Sequence, residues 1–220
     1  MAMTLHYHPL ASYCHKVLIA LYENGTAFEK KLVDLGDAQQ RAELQARWPL
    51  GKFPVIHDHA RARDVAETTI IIEYLDRFYP GAHPLIPRDP DEALEVRLWD
   101  RIFDNYVQGP MQEIVSDRMR NADGDMNNAR ATLATVYDMT ERQLASGTWI
   151  VGENFSMADC AAAPALFYAS TLQPFQTGHR HLSDYFDRLV ERPSVRRVIE
   201  EAKPYFRFYP FASDIPERFR

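Results

Sequence analysis

Trp48-Pro49-Leu50-Gly51-Lys52-Phe53-Pro54-Val55-Ile56, followed thirteen residues after Pro54 by Glu67-Thr68, is the stretch around which the chain is organised. Pro49 and Gly51 mark a loop, and Phe53 to Ile56 then enters an apolar run of strand character. A proline at the mouth of a buried strand has no N–H to give to a ladder. A cis Phe53-Pro54 bond reconciles the two and turns the main chain of Phe53 outward as a free donor and acceptor pair. Such an edge accepts a peptide. Glu67-Thr68 falls where a short polar strand gives way to the helix Thr69-Ile70-Ile71-Ile72-Glu73-Tyr74-Leu75, with Thr68 predicted as its cap. A helix N-terminus beside a peptide-accepting strand implies a ligand that carries both a peptide backbone and a carboxylate.

Outward from this stretch the first half reads β-α-β-α-β-β-α. Thr4 to Tyr7 alternates polar and apolar residues as a strand does, and Pro9 ends it. From Ser12 a helix carries Cys14, Val17, Leu18 and Leu21 on one face, with Gly25 at its stop. Phe28 to Val33 reads as a second strand, residues 37 to 47 as a polar helical or partly irregular segment, and Arg63 to Ala66 as a short strand. The helix that follows puts Ile71, Tyr74, Leu75 and Phe78 on one face. Residues 79 to 91 hold Pro80, Pro84, Pro87 and Pro90, a spacing hostile to helix interiors and central strands alike. The expected organisation is therefore an α/β domain over 1–79, a linker over 80–91 and an all-helical domain over 92–220. In that last part Trp99, Ile102, Phe103 and Tyr106 share a face, Gly109-Pro110 breaks the helix, and Leu133, Val136, Tyr137, Thr140 and Leu144 share another. Ser156-Met157-Ala158-Asp159 opens a further helix as a capping box, and Leu182–Val190 and Val195–Ile199 complete the set around Pro193.

A formal net charge of -6 argues against nucleic acid, whose phosphates demand a basic surface. The N-terminal residues lack a basic and then apolar leader, and no apolar run approaches the ~20 residues of a membrane span, so a cytosolic protein is expected. Cys14 and Cys160 make neither a disulfide framework nor a C-x-x-C dithiol. The pairs His6/His8, His57/His59 and His179/His181 lack a third ligand type nearby and read as surface or loop histidines, with no metal expected. Asn154-Phe155-Ser156 matches a glycosylation sequon that a chain without a secretory signal does not present to that machinery.

With Ser12-Tyr13-Cys14-His15-Lys16-Val17, Pro49-Leu50-Gly51-Lys52-Phe53-Pro54-Val55, Glu67-Thr68 and Phe155-Ser156-Met157-Ala158-Asp159 in this order, the chain resembles the cytosolic glutathione transferases along nearly its whole length. The resemblance implies a thioredoxin-like domain followed by a helical one. Glutathione would lie along the Pro54 strand with its cysteinyl backbone on Phe53. Its γ-glutamyl end would meet Glu67 and Thr68, and its glycine carboxylate Lys52. On the residues alone, Glu67 equally favours a helix start, Thr68 equally caps one, and Lys52 equally stands as a solvated charge.

Catalysis needs a donor that holds the glutathione sulfur as thiolate. In the serine-type classes it is a serine at the start of the first helix, and here that position is Ala11. Ser12, which matches the cysteine position of a bacterial class, is the first candidate. Tyr7, where the tyrosine-type classes keep their phenol, is the rival, and Tyr13 is the third. Ser12 also reads as a plain helix cap and Tyr7 as a strand aromatic. Cys14 falls on the apolar helix face and reads as a packed thiol. Phe103, Tyr106, Met111 and Tyr168 are the candidates for an apolar electrophile pocket, although aromatics at helical spacing also build cores. The implied activity is conjugation of glutathione to hydrophobic electrophiles by a homodimer. The alternatives are a glutathione-binding, non-conjugating relative and a glutathione-dependent peroxidase or disulfide reductase.

Overall fold

The computed structural model describes residues 2–220. Its first half is a four-stranded sheet in the order β2-β1-β3-β4, from β1 (Met3–Tyr7), β2 (Glu29–Leu32), β3 (Val55–Asp58) and β4 (Arg63–Ala66). β1 runs parallel to β2 and antiparallel to β3, and β3 pairs antiparallel with β4. The parallel pair needs a crossover, supplied by α1 (Ser12–Glu23), whereas β3 and β4 join by a short turn. α2 (Ala38–Arg47) is almost wholly polar and holds the fold through buried Leu44. Asp37 caps it by accepting from the N–H groups of Gln39 and Gln40 at 2.8 and 3.0 Å. α3 (Thr68–Phe78) closes this thioredoxin-like unit. The Phe53–Pro54 peptide is cis.

After an irregular segment come α4 (Pro90–Ile102), a π-helical turn (Phe103–Gln108), α5 (Gly109–Arg120), α6 (Asn127–Gln143), α7 (Met157–Leu172), α8 (Arg180–Glu191) and α9 (Pro193–Ala202). Three boundaries differ from expectation. Pro90 starts α4 rather than belonging to the linker, because proline is well placed in the first turn and Asp89 takes the N–H groups of Asp91 and Glu92. Gly109-Pro110 does not break the helix: Pro110 falls in the first turn after the π turn, where its missing N–H costs little. Thr68 does not cap α3. It is the first helical residue, and Glu67 occupies the cap position with φ +68° and no side-chain capping bond.

α7 is the central helix. It is buried almost end to end, and its alanines at 158, 161, 162, 163, 165 and 169 let α1, α4 and the π turn approach closely. Its entry is fixed by Asp159, which is fully buried. That carboxylate takes Ser156 N–H at 2.8 Å, Ile150 N–H at 3.1 Å and Tyr185 O–H at 2.6 Å, pinning the 147–155 loop and α8 to one point. The expected capping box is thus also a junction between elements.

The two halves meet at a buried ion cluster. Lys16 of α1 is 1 % exposed, and its Nζ lies 2.6 Å from Asp100 Oδ1 and 2.7 Å from Asp104 Oδ2, both on the helical half. The Asp100 contact is off-line for a hydrogen bond and acts through charge. Thr69 of α3 donates to Asp100 Oδ2 at 2.7 Å, and Arg101 covers the outer side of both carboxylates. The histidines also differ from expectation. His6 and His179 are buried, the latter bonded to Asp138 at 2.8 Å, while His57 pairs with Asp64 and His59 with Thr4.

Two consequences are measurable. Lys16→Met leaves two buried carboxylates short of their inner cation and lowers unfolding free energy by about 3–5 kcal/mol in urea titration. Burial holds His6 and His15 neutral, lowering each from 6.5 to about 4. Between those values the unfolded chain binds protons that the folded chain refuses, so stability rises with pH there. The melting temperature therefore falls as pH drops from 6.5 to 4, and His15→Gln shows a shallower slope over that window.

Candidate functional site

The ladder registers of β3 begin at Val55, which pairs with His6 on one side and Ala66 on the other. Phe53 and Pro54 lie just before them, at the edge of a cavity of about 210 Å³. Gly51 makes the approach: its φ of +61° suits glycine, and its N–H closes a turn on Trp48 O at 2.8 Å. The same turn sets Lys52 and Trp48 in the cavity wall.

Glu67 and Thr68 enter from the opposite side. The positive φ of Glu67 is strained for a residue with a Cβ, at a cost on the order of 1–3 kcal/mol, and Glu67 lines the cavity without a side-chain capping bond to α3. Thr68 and the first N–H groups of α3 supply an anion-binding end beside it. The helical half completes the wall with Arg101, Asp104 and Asn105, and α1 contributes Tyr13. Two cations, Lys52 and Arg101, thus face two carboxylates, Glu67 and Asp104. Burial raises the Asp104 carboxyl against the pull of Lys16, and its Oδ1 is buried without a hydrogen-bond partner. Arg101 and Asp104 are paired with each other, which leaves Lys52 and Glu67 as the charges of the wall outside that pair.

A second cavity, of about 390 Å³, has a separate set of lining residues. Its floor is the β1–α1 connection, His8, Leu10, Ala11 and Ser12. Its walls are Met111, Val115 and Met119 from one face of α5, Tyr168 of α7, and Phe208, Tyr209 and Pro210 near the C-terminus. These walls are mainly apolar, with Gln112 and Ser116 of α5 among them and Met119 and Phe208 exposed at the mouth. Ser12 is the first residue of α1 and lies on the floor of this cavity, while Tyr13, next to it, lines the polar one, so the first two residues of α1 contribute one to each.

The expected residues therefore divide. Lys52, Phe53, Pro54, Glu67 and Thr68 line one cavity together, and Ser12, Met111 and Tyr168 the other. Tyr7 lines neither: its phenol is raised by burial and faces Glu201 and Tyr205 on the α9 side. Phe103 is fully buried against Trp99, with ring centroids 5.8 Å apart. Tyr106 is exposed in a separate groove with Ile102 and Met139. Phe103 keeps the face that a 3.6-residue period gives it with Trp99 and Ile102, and that face is core, whereas Tyr106 lies inside the π turn, whose i→i+5 bonding adds a residue to the repeat, and is exposed. The same turn delivers Asp104 and Asn105, which periodicity had not marked. Tyr13 donates to Asp104 O at 3.2 Å and is pushed up to about 12 by burial and then by Asp104, so its proton is already committed. Cys14 is buried, and burial pushes its thiol up to about 12, which makes it a packed group and not a nucleophile.

Among known families, the N-terminal domain model of glutathione S-transferases matches residues 5–83 and the C-terminal domain model residues 106–193. The chain is 27 % identical to glutathione S-transferase F10 of Arabidopsis thaliana over 90 % of its own length and 96 % of the relative's. It is 26 % identical to the stringent starvation protein A homolog of Histophilus somni over 92 % of both chains. A solved glutathione S-transferase of Methylobacterium radiotolerans, in complex with glutathione sulfonate, superposes with a TM-score of 0.77. It is 28 % identical, over 89 % of this chain and 93 % of that one.

Proposed function

The chain belongs to the glutathione S-transferase family, and from that membership we propose that it binds glutathione in the polar cavity and transfers its sulfur to a hydrophobic electrophile in the apolar one. The observation that carries this reading is that Ser12 and Tyr13, consecutive residues at the N-terminus of α1, line one cavity each, Ser12 the apolar one.

In this reading the main chain of Phe53 pairs with the cysteinyl unit. Glu67 takes the γ-glutamyl ammonium, Thr68 and the α3 N–H groups its carboxylate, and Lys52 the glycine carboxylate. A free thiol has a pKa near ~8.5, and holding it ~2 units lower corresponds to ~2.7 kcal/mol of differential stabilisation. Ser12 Oγ and the α1 N-terminus supply donors where that charge forms. Met111, Val115, Met119, Tyr168 and Phe208 exclude water around the acceptor carbon and hold it near the sulfur. Conjugation joins the sulfur to the electrophilic carbon, and the leaving group departs with the electron pair.

A second reading is a glutathione-binding protein without conjugation. Ala11, which carries no hydroxyl at the position used by the serine-type classes, supports it, as does the likeness to a stringent starvation protein A homolog. Peroxide or disulfide reduction would use the same thiolate, since Cys14 and Cys160 are both buried with raised thiol values.

A homodimer is part of the proposal. Arg97 of α4 bridges to Glu73 of α3 at 2.7 Å, and the two helices leave Ile70, Leu94 and Leu98 exposed. No helix is long and apolar enough to cross a membrane among the described residues, and a cytoplasmic location is proposed with the activity.

Glutathione at a hundred times its dissociation constant should stabilise the fold by ~2.7 kcal/mol, read as a rise in melting temperature. Ser12→Ala should keep that rise and lose about 10²-fold in kcat/KM toward a chloronitroaromatic. A full rise without turnover or thiolate absorbance in the parent would transfer the assignment to the non-conjugating reading. In sedimentation the parent should run as a dimer and Leu98→Glu as a monomer.

A further inference from the structure

His8 is the one ionisable side chain on the floor of the apolar cavity, and neither the family motifs nor the mechanism above uses it. Its ring is held from three directions. Leu10 N–H donates to Nδ1 at 3.2 Å, the Phe53 ring stacks on it with centroids 6.0 Å apart and planes at 18°, and Tyr205 meets it edge-on at 5.8 Å and 75°. The Leu10 bond has a chemical consequence. Because a backbone proton already occupies Nδ1, the neutral ring carries its own proton on Nε2. Burial lowers the ring's affinity for a second proton, opposed by the more distant Asp34, so the neutral form holds at neutral pH. His8 therefore carries its proton on Nε2 in the lining of a cavity whose walls are mainly apolar.

Its position is as constrained as its tautomer. Phe53 stacks on it and is the residue whose main chain the proposed peptide pairs with. Ser12 shares its cavity floor, and a sulfur delivered from Phe53 toward the α1 N-terminus enters the space between them. Ala11 leaves a methyl group where the serine-type classes keep their hydroxyl, so the chain has room and need for another donor.

We propose that His8 donates its Nε2–H to the glutathione sulfur, acting with Ser12 as a second stabiliser of the thiolate. The assignment rests on the glutathione reading above. In it the thiol proton leaves to solvent, the sulfur keeps the electron pair, and His8 stays neutral as a hydrogen-bond donor throughout. No proton passes through the ring. A neutral donor in an apolar cavity strengthens most when charge gathers on sulfur, which favours the thiolate over the thiol.

The test is the apparent pKa of the bound thiol, followed by thiolate absorbance near the ultraviolet edge in the parent, His8→Phe, His8→Leu and His8→Gln. His8→Phe keeps an aromatic ring against Phe53 and removes only the nitrogen chemistry. His8→Leu repeats the loss without the ring, and melting temperatures show which variant remains folded. The expected result is a rise of about one unit in thiol pKa for Phe and Leu, about tenfold lower kcat/KM below that pKa, and less than about threefold change in glutathione affinity. His8→Gln, which retains a side-chain N–H, should stay nearer the parent. An unchanged thiol pKa in a folded His8→Phe protein overturns the assignment. So does a loss confined to electrophiles that bear a carbonyl oxygen, which would make His8 a donor to the acceptor instead. If the parent itself binds glutathione without lowering its thiol pKa, the conjugation reading fails first and His8 falls with it.

Discussion

Lys16 is the constraint on which the site depends. A lysine 1 % exposed survives inside a protein only with its charge met, and here it is met by two carboxylates from the other half of the chain. The cluster bridges α1, α3 and α4, because Thr69 and Arg101 complete the coordination of the same two aspartates. It therefore holds the sheet-bearing half against the helical half at one distance. Everything that lines the polar cavity on its helical side hangs from this point, since Arg101 and Asp104 belong both to the cluster and to the wall. Such a network stores specificity more than stability: hydrophobic residues of similar volume would pack the two halves together without placing a carboxylate in the cavity.

The site divides its labour by polarity. The smaller cavity is lined by charge, with Lys52, Arg101, Glu67 and Asp104. The larger offers apolar methionine and aromatic walls, and methionine's flexible thioether suits acceptors of varied shape. Between them lies the β1–α1 connection, where a short run from His8 to Tyr13 contributes to both. The strained backbone at Glu67 belongs to the polar cavity, which that residue lines without a side-chain capping bond to α3.

Much of this was legible in local pattern. The proline at the mouth of β3, the glycine turn before it and the Glu67-Thr68 pair are short-range signals, and each marks a wall of the polar cavity. Asp159 was legible as a helix start for the same reason, although its reach to Ile150 and Tyr185 was not. The apolar cavity was legible by halves. Met111 and Tyr168 sit on regular helices and line it, whereas Phe103 falls on the buried face it shares with Trp99 and Ile102, which a repeat cannot tell from a pocket face, and Tyr106 lies in the π turn and is exposed elsewhere. Tyr7 shows the converse limit. Its place at the end of β1 matched a known position, but a strand's alternation gives two faces, and this phenol fell on the one packed toward α9.

By itself the sequence determined the order of elements, the division into an α/β half and a helical half, the family and the residues flanking the peptide-accepting edge. These follow from periodicity, turn residues and capping, all of which act within a few positions of the chain. Only the tertiary structure decided that Lys16, Asp100 and Asp104 share one buried cluster, that His8 lies flat on Phe53, and that the C-terminal Phe208 and Tyr209 wall the cavity floored by Ser12. Those residues are far apart in sequence, and no local preference encodes their meeting. The burial of apolar surface around α7 brings them together, and the cost of leaving charge unpaired inside that core selects which of them touch.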